Sequence, residues 1–309
     1  MCGIVGLHLR DPGLHPRLGR LLEAMLCQVA ERGPDSAGVA VYGDRRRCPE
    51  GYAAVSLLDA PPDLATALRQ LPVSGELGQD PTRHSRGSEV LVTEAGATTV
   101  VAAPVAPEVL VAAVRAAAPG TMIVGSGTEL TVYKGIGAPR GLADTYGLAG
   151  AAGWQGLAHT RMATESAITP AGCHPFSVGP DQCLVHNGSF ANHATIRREL
   201  AAEGAVFDSE NDSEVGARFV AARLAEGADL DKALRLLCER FDGFYTLLVT
   251  SADGFAVVRD AIACKPAIIA ETDAWVAMAS EFRALATLPG IDSARIYEPE
   301  PERVYAWTR

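Results

Sequence analysis

The 309-residue sequence lacks several features that would place it in a specialised class of proteins. It has no uninterrupted apolar run of about 18 or more residues, the length that a membrane-spanning helix needs. Its 27 Lys and Arg residues are outnumbered by 37 Asp and Glu residues, which gives a net charge of -10. An acidic chain is a poor match for nucleic acid or for an anionic membrane surface, so we expect neither as a partner.

Targeting signals and cysteine pairs are also lacking. Asp11, Pro12 and Gly13 interrupt the N-terminus early, so it does not have the basic and then apolar build of a secretory signal. The seven cysteines are an odd number without short paired spacings, which does not match a disulfide framework or a zinc or iron–sulfur site. We therefore expect a cytoplasmic protein whose cysteines are reduced and which holds no metal.

The sequence does have the composition of an ordinary globular protein, with 48% hydrophobic and 21% charged residues. Short apolar runs typical of strands, flanked by segments with helical spacing, predict an α+β fold of stacked sheets covered on their outer faces by helices. Between 44 and 149, alanine and valine dominate, and the elements follow the order β-α-β-β-α-β. That order is typical of the split, ferredoxin-like motif.

The chain begins Met-Cys-Gly-Ile-Val-Gly, which places a thiol at the second position. If Met1 is removed, Cys2 carries both a thiol and a free α-amine. The pKa of a thiol is ~8.5 and that of an α-amine is ~7.7–8.0, so the amine can accept the thiol proton without a histidine. A nucleophile activated by its own terminal amine is a known route to covalent catalysis. The alternative is a cysteine with no role, and a substrate cradle elsewhere in the chain would decide between the two.

Four clusters contain more polar and turn-forming residues than packing requires, at 32–38, 159–164, 186–188 and 211–214. Each has a structural interpretation: a helix stop with a Pro-Asp turn, a surface salt bridge, an Asn-Gly hairpin turn and a helix capping box. Taken singly, each structural interpretation is sufficient.

The same clusters also have a chemical interpretation. Arg161 has the planar guanidinium that binds a carboxylate in bidentate fashion. The side-chain amide of Asn187 and the N–H of Gly188 can supply the two donors of an oxyanion hole. Asp212 can bind the ammonium group of an amino acid. Together with Cys2, these parts would hold an α-amino acid while its side-chain carbonyl is attacked.

The order of these motifs resembles that of the class II glutamine amidotransferases, which are N-terminal-nucleophile hydrolases with a four-layer αββα fold. The resemblance rests on the segments at 1–4, 32–38, 159–161, 186–188, 211–214, 259–266 and 279–281. It implies an amidotransferase domain over 1–309 with an inserted α/β subdomain at 45–150. The segments 160–166 and 179–188 and the long insertion are most similar to the separate amidotransferase subunit of N-methylglutamate synthase and of related split glutamate synthases.

The resemblance also implies a mechanism, in which the Cys2 thiolate attacks the carboxamide of glutamine and Asn187 and Gly188 stabilise the oxyanion. It further assigns the groups that hold the substrate and brace the site: the carboxylate anchors Arg161 and Thr164, the ammonium anchor Asp212, and Arg32 beside Cys2. One departure from the class is Met162, where many members have tryptophan or tyrosine.

The sequence shows no phosphate-binding Gly-rich loop and no flavin or iron–sulfur signature, so the released ammonia must be used by another polypeptide or simply lost. The resemblance implies a glutamate-synthase-like partner that carries FMN, with an iron–sulfur cluster and further subunits as additional components. The insertion at 45–150 is either a docking surface for this partner or a fold elaboration without contacts.

Three alternatives stay open at this point. The first is a stand-alone glutaminase. The second is a non-catalytic regulatory subunit of the same fold, which a retained Met1 would favour. The third is a metal-dependent hydrolase that uses His159, His174 and His186, although their spacing matches no compact ligand motif.

Overall fold

The computed structural model describes residues 2–70, 90–162 and 168–309 of the chain. Its strands are β1 (Gly3–Leu9), β2 (Ser36–Tyr42), β3 (Ala53–Leu58), β4 (Leu91–Ala95), β5 (Thr98–Ala103), β6 (Met122–Gly127), β7 (Leu130–Ile136), β8 (Gln155–Arg161), β9 (Cys183–Phe190), β10 (Gly243–Thr250), β11 (Gly254–Arg259), β12 (Ile268–Glu271), β13 (Trp275–Ala279), β14 (Arg295–Tyr297) and β15 (Tyr305–Thr308). Its helices are α1 (Leu18–Gln28), α2 (Leu64–Gln70), α3 (Pro107–Ala117), α4 (Pro139–Tyr146), α5 (His193–Ala202), α6 (Asp212–Ala225), α7 (Leu230–Arg240) and α8 (Phe282–Leu285). Among the helices of these segments, none is both long and apolar enough to cross a membrane.

The larger sheet has seven strands in the order β14-β12-β13-β1-β8-β2-β7, and all neighbouring strands in it are antiparallel. The N-terminal strand β1 lies in the middle, because β13 and β8 pair with its two sides. All seven residues of β1 are buried. Its sequence is accordingly a nearly continuous apolar run rather than an alternating one, as expected of a strand covered on both faces.

The smaller sheet, in the order β15-β11-β10-β9, packs face to face on the larger one. The layer between the two sheets is apolar, and Ile4 of the larger sheet belongs to the same core cluster as Val185 and Leu248 of the smaller. A Cβ atom on Gly6 would lie 2.3 Å from Leu248 Cδ2, so the missing side chain lets the two sheets approach each other at this point.

Helices cover the outer face of each sheet. On the larger sheet, α1 packs against β1 and β8 and also contacts α4 and α8. Its buried stripe includes Leu18, Leu22 and Met25, which recur at helical spacing. On the smaller sheet, α6 packs against β9 and lies beside α5 and α7, and α7 contacts β11. The four-layer αββα arrangement predicted from the sequence is therefore confirmed.

A third sheet lies in the inserted region, with the antiparallel order β4-β5-β3-β6. Together with α2 and α3 it gives the order β-α-β-β-α-β, and this arrangement is ferredoxin-like, as predicted. Its separate core includes Val55, Leu57 and Val101. The last strand of this sheet, β6, ends at Gly127. The next strand, β7, pairs with β2 in the larger sheet, so the third sheet stops before residue 150, the predicted end of the insertion.

Candidate active site

The first residues of β1 are held by side chains from both neighbouring strands. The Gly3 N–H donates to Thr160 Oγ1 at 3.2 Å, and the Ile4 N–H donates to Ser280 Oγ at 2.9 Å. Thr160 Oγ1 in turn donates to the Val29 carbonyl oxygen at 3.1 Å. Buried backbone groups at this end of the sheet are thus satisfied, and the half-buried Cys2 is held next to them.

Two side chains donate hydrogen bonds to the carbonyl oxygen of Cys2. Arg32 Nε lies 3.0 Å from it, and Asn187 Nδ2 lies 3.2 Å from it. Arg32 also forms an ion pair through Nη1 with Glu281 Oε1 at 2.9 Å. An asparagine amide has two hydrogens, and the Cys2 carbonyl uses one of them, which leaves the second for another acceptor. The structure therefore brings Cys2, Arg32 and Asn187 together from three distant segments.

Asn187 and Gly188 lie inside β9 and do not form the hairpin turn that is the structural interpretation of an Asn-Gly pair. Gly188 pairs with Tyr245 of β10. Its φ is +147°, and a Cβ atom there would lie 1.9 Å from the Phe244 carbonyl oxygen, so this position requires glycine. The turn interpretation is wrong because pairing with β10 overrides the local preference, and the glycine serves the close approach of two strands instead.

Arg161 ends β8 and is buried, with 7% of its surface exposed. When the register between β1 and β8 is continued by one position, Arg161 stands across from Cys2. A Cβ atom on Gly172 would come within 3.2 Å of Arg161 Nη1, so the guanidinium lies against this later loop. Thr164, which the resemblance assigns to the same anchor, falls in 163–167, outside the described residues, and its contact stays a prediction.

Asp212 is the first residue of α6, which packs against β9. Its Oδ2 atom accepts a hydrogen bond from the Phe190 N–H at 2.9 Å. Phe190 is two residues beyond Gly188 on β9, so Asp212 is tied to the strand that carries the predicted oxyanion donors.

The predicted capping box of α6 is only half formed. The Asn211 side chain accepts from the Ser213 N–H at 2.9 Å, as a helix cap should. The Glu214 carboxylate does not reach back to Asn211. It binds backbone N–H groups of the preceding loop and forms an ion pair with Arg218 at 2.7 Å, which is one turn further along the helix.

Three buried histidines lie behind the site, and the sequence suggests no role for them other than that of metal ligands. His159 Nε2 donates to the His186 carbonyl oxygen at 3.2 Å, whereas His174 Nε2 and His186 Nδ1 contact the Ser213 hydroxyl at 2.9 and 2.8 Å. Burial lowers the pKa of His159 to about 3 and that of His186 to about 4, and it lowers the pKa of His174 well below its usual range. In the described part of the chain, no group of three or more His, Cys, Asp or Glu side chains is arranged to hold a metal ion.

Ser280, Glu281 and Ser213 contact this site, although no sequence pattern identifies them individually. Each lies in a segment that carries the family resemblance, so the resemblance indicates that the segment belongs to the site. Their individual roles have no spacing signature, because their partners lie elsewhere in the chain. Glu281, for example, is 249 positions from Arg32.

The matches with known proteins agree with this arrangement. Residues 159–287 match the family model of a glutamine amidotransferase domain. The glutamine amidotransferase-like protein GlxB of Rhizobium meliloti (strain 1021) is 46% identical over 309 residues, covering 99% of this chain and 98% of that protein. The chain belongs to the class II glutamine amidotransferase family. An amidophosphoribosyltransferase of Methanocaldococcus jannaschii is 30% identical to this chain over 181 residues, covering 58% of this chain and 38% of that enzyme.

Two solved structures share the fold of this class II family member. They are glutamine phosphoribosylpyrophosphate amidotransferase from B. subtilis complexed with ADP and GMP, at a TM-score of 0.58, and a structure described as the allosteric regulatory enzyme of purine biosynthesis, at 0.60. Both are 16% identical to this chain. Each match covers 99% of this chain and 49% of the other, so the chain spans about half the length of these structures.

Proposed function

We propose that this chain hydrolyses glutamine to glutamate and ammonia through a thioester on Cys2. The observation that supports this most is the convergence of Arg32 and Asn187 on the Cys2 carbonyl oxygen, at 3.0 and 3.2 Å, beside Arg161 on the adjacent strand. Cys2, Asn187 and Arg161 thus lie at one end of the sandwich, and we assign them the roles of nucleophile, amide donor and carboxylate anchor. These are the parts that acyl transfer from a carboxamide requires.

The reaction begins when the free α-amine of Cys2, present once Met1 has been removed, accepts the thiol proton directly or through water. The thiolate attacks the carboxamide carbon, and the oxyanion accepts hydrogen bonds from the second N–H of the Asn187 amide and from the Gly188 N–H. The C–N bond then breaks, and ammonia leaves with the proton that the amine held. Water hydrolyses the thioester to glutamate and restores the thiol. One oxyanion donor of this kind contributes about 10²–10³ in turnover.

Glutamine is held at both of its charged groups. Arg161 binds the α-carboxylate with its planar guanidinium, and Thr164 assists it. Asp212 binds the α-ammonium group. Arg32 keeps the backbone of the nucleophile in place through its 3.0 Å hydrogen bond to the Cys2 carbonyl oxygen.

The ammonia is used by a second polypeptide, a glutamate-synthase-like subunit that carries FMN, as in N-methylglutamate synthase or a split glutamate synthase. An iron–sulfur cluster and further subunits belong to the same proposal. The support is the resemblance of the segments 160–166 and 179–188 and the lack of a flavin signature in the sequence. The acceptor chemistry is either methylamine transfer to give N-methylglutamate or amination of 2-oxoglutarate to give glutamate.

The test is to purify the native complex, establish by intact mass spectrometry whether Met1 has been removed, and measure glutamine hydrolysis with and without the partners. We expect hydrolysis that increases with the partner and its acceptor, and none in Cys2→Ala. Cys264→Ala is the matched control, because this thiol is exposed and makes none of the contacts above. Hydrolysis that is independent of any partner would favour a stand-alone glutaminase, and retained Met1 without hydrolysis would favour a regulatory subunit.

A further inference from the structure

A buried hydroxyl behind the candidate active site contacts three other polar groups. It belongs to Ser213, the second residue of α6, which has 1% of its surface exposed. Its Oγ lies 2.9 Å from His174 Nε2, 2.8 Å from His186 Nδ1 and 3.3 Å from Asp212 Oδ1. A serine hydroxyl has one hydrogen to donate and two lone pairs with which to accept, so three contacts use its whole capacity.

The positions of the two imidazole hydrogens follow from the nitrogens on the far side of each ring. His174 Nδ1 and His186 Nε2 are buried and have no hydrogen-bond partner among the described residues. A neutral imidazole has one N–H and one bare nitrogen. A buried N–H without an acceptor is rarer in proteins than an acceptor with an unused lone pair. Each ring therefore carries its hydrogen on the nitrogen that faces Ser213, and both rings donate to the hydroxyl oxygen.

The Ser213 hydroxyl can then form only one further hydrogen bond, in which it is the donor. Because the histidines occupy both of its lone pairs, its hydrogen is directed to Asp212 Oδ1. The other carboxylate oxygen of Asp212, Oδ2, accepts from the Phe190 N–H at 2.9 Å. Each oxygen is thus held by one donor and keeps a further lone pair. The Asp212 side chain is 21% exposed, so a ligand can reach these lone pairs.

This arrangement requires both histidines to be neutral, because a protonated ring would carry a second N–H where no acceptor is available. Burial lowers the pKa of His174 and His186 below the usual range, which keeps both rings neutral at pH 7. The hydrogen-bond pattern and the protonation states are therefore consistent with each other.

We propose that Ser213 is a positioning residue that fixes the Asp212 carboxylate toward the α-ammonium group of the substrate, with His174 and His186 holding the hydroxyl in the required orientation. The site thereby selects an α-amino acid over an amide that has no α-amine. This inference rests on the proposed function, in which Asp212 is the ammonium anchor.

The kinetic test compares glutamine with glutaramate, the same amide without the α-amine, in wild type and in Ser213→Ala. Loss of a hydrogen bond to a charged group should raise KM for glutamine about tenfold or more. The kcat for glutamine and the kcat/KM for glutaramate should not change. The matched control is Ser56→Ala, which removes an equally buried hydroxyl, 1% exposed, that accepts from the Val132 N–H at 3.0 Å and does not contact Asp212. Equal losses for the two substrates in Ser213→Ala would overturn the proposal in favour of a merely structural hydroxyl.

A double-mutant cycle sharpens this test. In an Asp212→Asn background, Ser213→Ala should change KM for glutamine no further, because its effect passes through the carboxylate. An undiminished second effect would show that Ser213 acts by another route and would also overturn the proposal.

A spectroscopic measurement on the wild-type chain needs neither a variant nor activity. Nitrogen NMR of histidine-labelled protein should find the hydrogen of His186 on Nδ1 and that of His174 on Nε2. A His186 hydrogen on Nε2 would contradict the network. Because this readout is independent of turnover, it separates the two claims: a wild type without glutaminase activity would refute the proposed function, whereas a wrong tautomer would refute the role of Ser213.

Discussion

The candidate active site joins residues that lie far apart in the sequence, whereas the inserted sheet pairs strands of one region of the chain. The Ile4 N–H bonds to Ser280 across 276 positions, and Asn187 reaches Cys2 across 185 positions. All strands of the inserted sheet lie within 53–127. The site therefore exists only when the whole sandwich is folded, while the pairing of the inserted sheet is complete within its own segment.

The two regions also differ in the interactions that hold them. Hydrogen bonds from the Arg32 and Asn187 side chains hold the backbone at Cys2. The core of the inserted sheet consists of apolar side chains such as Leu57 and Val101. Apolar packing is non-directional, whereas a donor aimed at one atom has no substitute. The comparison predicts that substitutions at the site act on activity and that substitutions in the inserted sheet act on stability.

The largest effect on activity should come from Cys2→Ala. Loss of the nucleophile should abolish glutamine hydrolysis, measured as glutamate release, with little change in the melting temperature, because Cys2 is only half-buried and precedes the first strand. A Cys2→Ala protein that hydrolyses glutamine at the wild-type rate would refute the assignment of the nucleophile.

Gly188→Ala should have the next largest effect. The new methyl group would meet the Phe244 carbonyl oxygen at 1.9 Å, so β9 must shift away from β10 beside Asn187. We expect activity to fall about 100-fold or more, as when an oxyanion donor is lost. The control is Gly204→Ala, which also has a positive φ, +98°, but no atom within 4 Å of the new Cβ. If both variants keep the same activity, the position of β9 does not matter to the reaction.

Arg32→Gln should have an intermediate effect. Removing a charged hydrogen bond to the Cys2 carbonyl oxygen should lower kcat/KM by about tenfold to a hundredfold. Glu281→Gln should lower it less. Because Arg32 and Glu281 share an ion pair at 2.9 Å, the losses in the double variant should be less than additive. Fully additive losses would mean that Glu281 does not act through Arg32.

Leu57→Ala tests the prediction that substitutions in the inserted sheet act on stability. Leu57 is fully buried in the inserted core, so its truncation should lower the free energy of unfolding by about 2–5 kcal/mol, measured by urea denaturation. The kcat of the folded protein should not change. Leu22→Ala, at an equally buried position in α1, is the matched control in the sandwich. A large loss of kcat in Leu57→Ala would show that the inserted sheet is coupled to the site.

Lys134, on β7 where the chain returns to the larger sheet, should influence stability more than activity. Its ammonium group is buried and lies 4.6 Å from the centroid of the Phe176 ring. Burial lowers the pKa of Lys134 to about 8 from its usual value of 10.5. Between these values Lys134 binds a proton more readily in the unfolded chain than in the folded one, so its contribution to the free energy of unfolding rises with pH. Urea denaturation across this range should show that the free energy of unfolding of the wild type increases with pH relative to that of Lys134→Met, and the same pH dependence in both proteins would contradict the prediction.

Local patterns predict much of the fold. Helical spacing predicts helices over 212–225 and 230–240, and the structure has α6 and α7 at those bounds. Both helices begin after a capping residue, Asn211 and Asp229, which explains why their starts are well defined. By contrast, the sequence does not predict β7, because Lys134 and Gly135 interrupt its apolar pattern and its partner strand β2 is distant in the sequence.

For the candidate active site, too, local patterns predict only part of the structure. The residue types at Cys2, Arg32 and Asn187 could be predicted from their motifs, and the structure brings these three into contact. Their geometry could not be predicted, as the Asn-Gly pair inside β9 illustrates. A local turn preference is a weak effect, and pairing along the whole length of β9 and β10 outweighs it. Ser213 is a further example. Its partners, His186 on β9 and His174 in the loop before β9, come close to it only after folding.

The central claim is that Cys2 is the nucleophile of a site that binds glutamine and that it is active only as the N-terminal residue. It is tested most directly by incubating the purified chain with a diazo-ketone analogue of glutamine and locating the adduct by intact and peptide mass spectrometry. We predict one adduct per chain, on Cys2, in molecules that have lost Met1, and protection by excess glutamine. Labelling of the exposed Cys264, or equal labelling of chains that retain Met1, would contradict the account.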